Sequence, residues 1–308
     1  MSLLYFLQQC LNAVQVSCFY ALLAVAYVLV HGVVDRINLA FGAIAMWGAY
    51  LTIGGIAVIA GTTIDIPVAM LPLAVIYAVV GTSALGLVIA RTVVIRLSLE
   101  RPLAMLIATI GLAIVLEEVM RLASGSRELY LAPILSDTLI DWPNAVFTIR
   151  ISIIQAVVFA ISLGLAVLLA LFVRYHRFGR LWRACAQDIR MVALLGIDPR
   201  PTIAATIVIG AALASTSGIM LAIYYGSVSF YMGTMLGLKS LYVAVIGGLG
   251  SLTGAITGAF ALGFFEAMWS AYFPGDYRDV ASFAALTFLL ILRPGGLLAP
   301  AAEAYERV

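Results

Sequence analysis

Charge is scarce in this chain: only 10% of its 308 residues are Asp, Glu, Lys or Arg, and Lys239 is the sole lysine. A soluble domain carries about 25% charged and about 45–50% apolar residues, whereas the apolar share here is 64%. That excludes an ordinary globular domain and, at 308 residues, leaves no room for a separate soluble one. A net charge of +2 is too small to argue for nucleic acid. Cysteine is sparse and scattered as Cys10, Cys18 and Cys185, so there is neither a disulfide framework nor metal-ligand spacing. The two histidines, His31 and His176, have no Cys or carboxylate cluster at ligand spacing, and no catalytic constellation stands out. Gly233-Thr-Met-Leu-Gly237-Leu-Lys239-Ser240 only superficially resembles a phosphate loop. The Walker pattern needs four residues between its glycines and a glycine directly before the lysine; here there are three, and Leu238 intervenes. The N-terminus lacks a basic region and a cleavage site, so the first apolar run is expected to be a retained span.

Long apolar runs are what the chain has. A helix of about 20 apolar residues crosses the hydrocarbon core, and candidates fall at roughly 11–33, 38–60, 67–90, 103–123, 151–173, 203–224, 240–266 and 280–292. The second run contains Gly42, Gly48, Gly54 and Gly55. The seventh contains Gly247, Gly248, Gly250, Gly254, Gly258 and Gly263. Such glycines mark close helix approach, or broken and re-entrant segments lining a cavity. The expected fold is an all-α integral membrane protein, a polytopic bundle of about 8–10 helices with broken or re-entrant Gly-rich segments, forming one domain over 1–308.

Arginines orient it. Six of them lie between Arg174 and Arg200, and a basic loop between spans belongs on the cytoplasmic face. Arg91, Arg96 and Arg101 place the loop after the third run on the same side. The 124–150 connection, with Pro133, Trp142 and Pro143, fits the outside; the side of the C-terminus stays open. Within the loop 174–202, Arg174, Arg177, Arg180 and Arg183 recur every three residues. Met191 to Leu195 then form an apolar stretch that Gly196 is placed to stop. Such a stretch would be left in water unless a partner covered it.

Few polar residues sit at membrane depth. Glu117 and Arg121 are four apart and are expected to pair near the outer surface, with Glu118 beside them. Glu266 is expected to be interfacial. Lys239 either snorkels to headgroups or marks the mouth of a pathway. Asn38 opens the second run, either as an ordinary N-cap or as the start of a discontinuous helix offering backbone groups to a solute.

Four segments together resemble the permeases of branched-chain amino acid ABC importers, of the LivH rather than the longer LivM branch. They are Tyr27-Val-Leu-Val-His-Gly-Val-Val-Asp-Arg-Ile-Asn-Leu-Ala-Phe-Gly42; Thr109-Ile-Gly111; Arg177-Phe-Gly-Arg-Leu-Trp-Arg-Ala-Cys-Ala-Gln-Asp188 through Leu194-Leu-Gly-Ile197; and Gly237-Leu-Lys-Ser240 through Val245-Ile-Gly-Gly-Leu-Gly-Ser-Leu-Thr-Gly254, closing with Arg293-Pro-Gly-Gly-Leu-Leu298. Phe41 stands where that family usually has histidine and Leu39 where it has phenylalanine, which bears on the solute. The resemblance implies a non-catalytic inner-membrane subunit that works with a second permease (expected to be LivM-type), two ATPases that bind ATP and Mg, and a periplasmic binding protein. It also implies that the basic loop docks into an ATPase cleft, with Arg180, Arg183, Gln187, Asp188, Leu194, Leu195 and Gly196 as coupling residues. Asn38, Phe41, Gly42, Gly247, Gly248, Gly250 and Gly254 are the expected pathway residues. An importer of another small solute (urea, a short amide, an aromatic acid) is the nearest alternative. A stand-alone secondary transporter or channel lacks the paired buried carboxylates that ion coupling needs, and a membrane-embedded enzyme lacks a catalytic cluster.

Overall fold

A computed structural model describes residues 3–60, 71–97, 102–131, 138–142, 149–293 and 296. The helices are α1 Leu3–Val34, α2 Phe41–Ala60, α3 Leu71–Ile89, α4 Ile95–Leu97, α5 Pro102–Ala123, α6 Ile153–Tyr175, α7 Arg177–Gln187, α8 Ile189–Leu194, α9 Arg200–Tyr225, α10 Met232–Gly247, α11 Leu252–Tyr272 and α12 Arg278–Leu292. A π-turn, Ala90–Val94, joins α3 to α4. Among the described residues seven helices are long and apolar enough to cross a membrane; α10 and α12 are shorter and pack against each other and α11. Among the described residues the bundle is therefore an all-α, multi-pass membrane protein.

Sequence and structure differ at several element boundaries. The first span begins at Leu3 rather than near residue 11, and its 32 residues reach about 48 Å at 1.5 Å per residue, longer than the hydrocarbon core. From Ala13 onward α1 is mostly buried, with α9 and α11 packed along it. The run 240–266 is two antiparallel helices, α10 and α11, because the chain turns at Gly248 with φ +101°. The 124–150 connection holds short strands. β1 Leu129–Tyr130 pairs antiparallel with β4 Ser227–Val228, and β2 Thr138–Trp142 with β3 Ile149–Ser152. Pro133 and Pro143 of that connection, Arg101, and most of the closing segment after Arg293 lie outside the described residues.

The two ends of the bundle can be told apart. At one end the hairpin is tied to α1, with Gln8 Nε2 donating to Arg150 O and Arg150 N donating to Gln8 Oε1 at 3.1 and 3.0 Å. Tyr5 Oη donates to Ala271 O at the same end, 3.2 Å away. At the other end Trp182 Nε1 on α7 donates to Leu29 O of α1, 3.0 Å. The α7 loop is the basic one, so the hairpin lies at the end of the bundle opposite the basic loop. α12 descends from that end, so that Gly296 packs against Ile246 O and Gly248 at the α10–α11 turn.

α9 illustrates how the sequence sets helix limits. Pro201 sits in its first turn, where a missing N–H costs nothing, and Gly226 closes it in the left-handed region at φ +67°.

Candidate functional site

α2 starts inside the protein. Between Val34 and Phe41 the chain makes a turn whose Asn38, Ala40 and Phe41 are all buried. Asn38 is not the N-cap: its Oδ1 accepts from Ala40 N at 3.0 Å, two residues on, and α2 begins only at Phe41. Leu39 N donates to Thr109 Oγ1 at 3.4 Å, tying the turn to α5. The Phe41 ring is fully buried, edge-on to Tyr27 with centroids 5.7 Å apart. In this conformation it is a packing residue and lines no open channel.

Glycines set how closely α10 approaches its neighbours. A Cβ on Gly42 would run into Gly233 O and into Gly237 Cα, so α2 and α10 cross backbone to backbone. Gly247 and Gly254 meet in the same way across the α10–α11 turn, each facing the other's carbonyl. Gly250 does not belong with them: it is exposed, with nothing within 4 Å of where a Cβ would be. Of the bend or close approach expected of these glycines, Gly250 belongs to the α10–α11 turn and the close approach to Gly247 and Gly254.

The charged residues are also rearranged relative to expectation. Lys239 neither snorkels nor opens to a mouth. It is 3% exposed, and its Nζ lies 2.6 Å from Glu266 Oε1 and 2.8 Å from Asp279 Oδ1. Glu266 is 3% exposed, accepting also from Tyr20 Oη at 2.8 Å and Ser282 Oγ at 3.1 Å. Tyr20 Oη completes the ammonium's third contact at 3.5 Å. α10 carries the cation, α11 and α12 the anions, and α1 the tyrosine, so four helices share one satisfied polar knot. Glu117 does not pair with Arg121. It accepts from Thr234 Oγ1 on α10, while Arg121 pairs with Glu118, one residue nearer. None of this was legible in spacing, although Tyr20 and Tyr27 stand seven apart on one helix face, a signal that points both rings the same way.

At the end away from the hairpin the basic loop is two helices. Arg174 belongs to α6, and only Arg177, Arg180 and Arg183 ride on α7. Arg183 Nη1 donates to Val173 O at 2.6 Å, fastening α7 to α6; Arg180 and Gln187 are exposed. Asp188 separates the helices and caps α8, its Oδ1 accepting from Arg190 N and Met191 N at 2.8 and 3.0 Å. Gly196, at φ +81°, ends α8, with Gly196 N bonded to Ala193 O and Ile197 N to Val192 O. Leu194 and Leu195 are 81% and 74% exposed, and Met191 is exposed beside them. Burial pushes the Cys185 thiol up from its ordinary range, so this cysteine packs rather than reacts. Between the end of α1 and the α7–α8 junction lies a cleft of about 310 Å³ lined by Gly32 to Arg36 and Cys185 to Arg190.

The family model for the permease component of branched-chain amino acid transport systems matches residues 9–292. The chain is 38% identical to the high-affinity branched-chain amino acid transport system permease protein LivH of Escherichia coli strain K12, over 96% of both chains. It is equally similar to LivH of Salmonella typhimurium, and 35% identical over 96% of both chains to the corresponding protein BraD of Pseudomonas aeruginosa. No solved structure matches it.

Proposed function

The chain belongs to the permease family of branched-chain amino acid transport systems, and from that premise we propose that it is the LivH-type subunit of an ATP-driven importer carrying branched-chain and other hydrophobic amino acids across the bacterial inner membrane. A LivM-type second permease, two ATPases that bind ATP and Mg, and a periplasmic binding protein complete the assembly.

One observation carries the coupling role. Met191, Leu194 and Leu195 expose an apolar patch on α8, beyond the membrane-crossing helices. Contiguous exposed apolar surface marks an interaction site, and a basic cytoplasmic loop puts it within reach of an ATPase. A displacement of α8 has a short route inward. Asp188 joins α8 to α7, Trp182 joins α7 to α1 at Leu29, and six residues after Val34 the chain enters α2. At the Gly42–Gly233 crossing backbone meets backbone, so α10 can shift against α2 there, while the Lys239 knot keeps α10 with α1, α11 and α12.

Reconstitution of the whole assembly in proteoliposomes tests the reading. Binding protein outside and ATP at the ATPases should drive leucine uptake, and uptake of urea or a short amide instead would move the cargo to the alternative class. The isolated chain should neither hydrolyse ATP nor accumulate amino acid on a proton or sodium gradient. Gradient-driven accumulation by the chain alone would sink the importer reading.

A further inference from the structure

We propose that the first turn of α2, flanked by Tyr27 Oη and Asn38 Nδ2, is the subsite that holds the carboxylate of the amino-acid cargo during passage; this rests on the function proposed above.

Three features converge there. Ile44 N donates to Ala40 O at 3.0 Å, so the N–H groups of Phe41, Gly42 and Ala43 precede the first full helical turn. The N-terminus of a 20-residue helix carries about half a positive charge and is a ready anion site. It is also placed where an anion would find little competing water, since Asn38, Ala40 and Phe41 are buried.

The second feature is Tyr27, on α1. It is 3% exposed, and its oxygen lies beside the Gly42 amide, while among the described residues no acceptor takes its own proton. The third is Asn38, 2% exposed, whose Oδ1 is committed to Ala40 N while Nδ2 has no partner among the described residues. Buried donors without acceptors are destabilising. Two of them at one helix N-terminus describe a socket for an acceptor-only group, and a carboxylate is such a group.

The socket is closed in this conformation. Gly233 O and Gly237 Cα of α10 cover Gly42, and a Cβ on Gly237 would come 3.3 Å from Tyr27 Oη. Parting of α10 from α2 opens the space between Gly42, Gly237 and the Tyr27 hydroxyl. Cargo access is thereby tied to the movement that the glycine crossing permits.

The test uses the whole assembly in proteoliposomes, comparing the wild type with Tyr27→Phe and Asn38→Asp. Tyr27→Phe deletes only the unpartnered oxygen, so the melting temperature should stay or rise while leucine uptake falls about tenfold. Asn38→Asp keeps the acceptor for Ala40 N but sets a negative charge where the cargo's own must lie, and uptake should fall further. Wild-type uptake by Tyr27→Phe, or by a folded Asn38→Asp, overturns the subsite alone. A lowered melting temperature for Tyr27→Phe also overturns it, because the hydroxyl would then have a structural partner. A wild-type assembly that hydrolyses ATP but takes up no branched-chain amino acid overturns the cargo assignment and the subsite with it.

Discussion

Around Lys239 the protein buries charge, and on α8 it exposes leucine. The ammonium and Glu266 are each 3% exposed, whereas Leu194 is 81% exposed. Both depart from the ordinary sorting of side chains, for opposite reasons. The knot at Lys239 is complete within the chain, since Tyr20, Glu266, Asp279 and Ser282 supply its hydrogen bonds. A buried charge that has all its partners is tolerable and locks its helices in one arrangement. The α8 patch is left open by the chain: its backbone is capped by Asp188 and Gly196 and Val192 reaches the core, yet Met191, Leu194 and Leu195 cover nothing. One region is finished by folding; on the function proposed above, the other is finished by assembly.

Breaking the knot should have the largest effect. Glu266→Leu leaves Lys239 buried with the partly exposed Asp279, and loss of one partner of a buried pair costs about 3–5 kcal/mol. Thermal unfolding of the purified subunit in detergent should show a large drop. Lys239→Met combined with Glu266→Leu should recover most of it, and a double variant no better than the single would mean that the pair is not what holds α10. Next in size is Gly247→Val, which forces a side chain into the Gly254 backbone at an overpacking cost of about 1–3 kcal/mol or more. Gly250→Val, in open space, should stay within about 0.5 kcal/mol. Equal losses from the two would erase the distinction between a packed crossing and an exposed bend.

On the other side of the comparison the expected stability changes are small and the functional ones large. Leu194→Asp should alter melting by no more than about 0.5 kcal/mol while ATPase co-purification and uptake are lost; retention of both would make the loop a topology signal only. Asp188→Ala should cost about 1 kcal/mol through its cap on α8, so its coupling defect should be milder than that of Leu194→Asp. The smallest effect belongs to Glu118→Gln, whose pair with Arg121 is solvent-facing and local; melting and uptake should both be unchanged within error.

Apolar run length and arginine placement made most of the bundle readable in advance, because twenty apolar residues have one stable solution in a bilayer. The stop at Gly196 and the break in the Gly-rich seventh run were readable for the same local reason: the backbone preference of a residue is written at that residue. Boundaries that depend on neighbours were not. α1 extends back to Leu3 because the hairpin reaches it through Gln8 and Arg150, a partner 142 residues away. Asn38 looked like a cap, and its place in a buried turn is set by α5 and α10.

The sequence by itself determined that this is a multi-pass membrane permease, which of its connecting loops is basic, and that the chain stops a helix at Gly196. These follow from composition, periodicity and local backbone chemistry. Only the tertiary structure decided that Lys239 finds Glu266 and Asp279, that Glu117 turns to Thr234 rather than Arg121, that Gly250 is open while Gly247 is not, and that Tyr27 stands unpartnered at the head of α2. The physical reason is that buried charges, hydroxyls and glycines acquire their meaning from what lies opposite them. What lies opposite is chosen by helix packing across distant parts of the chain.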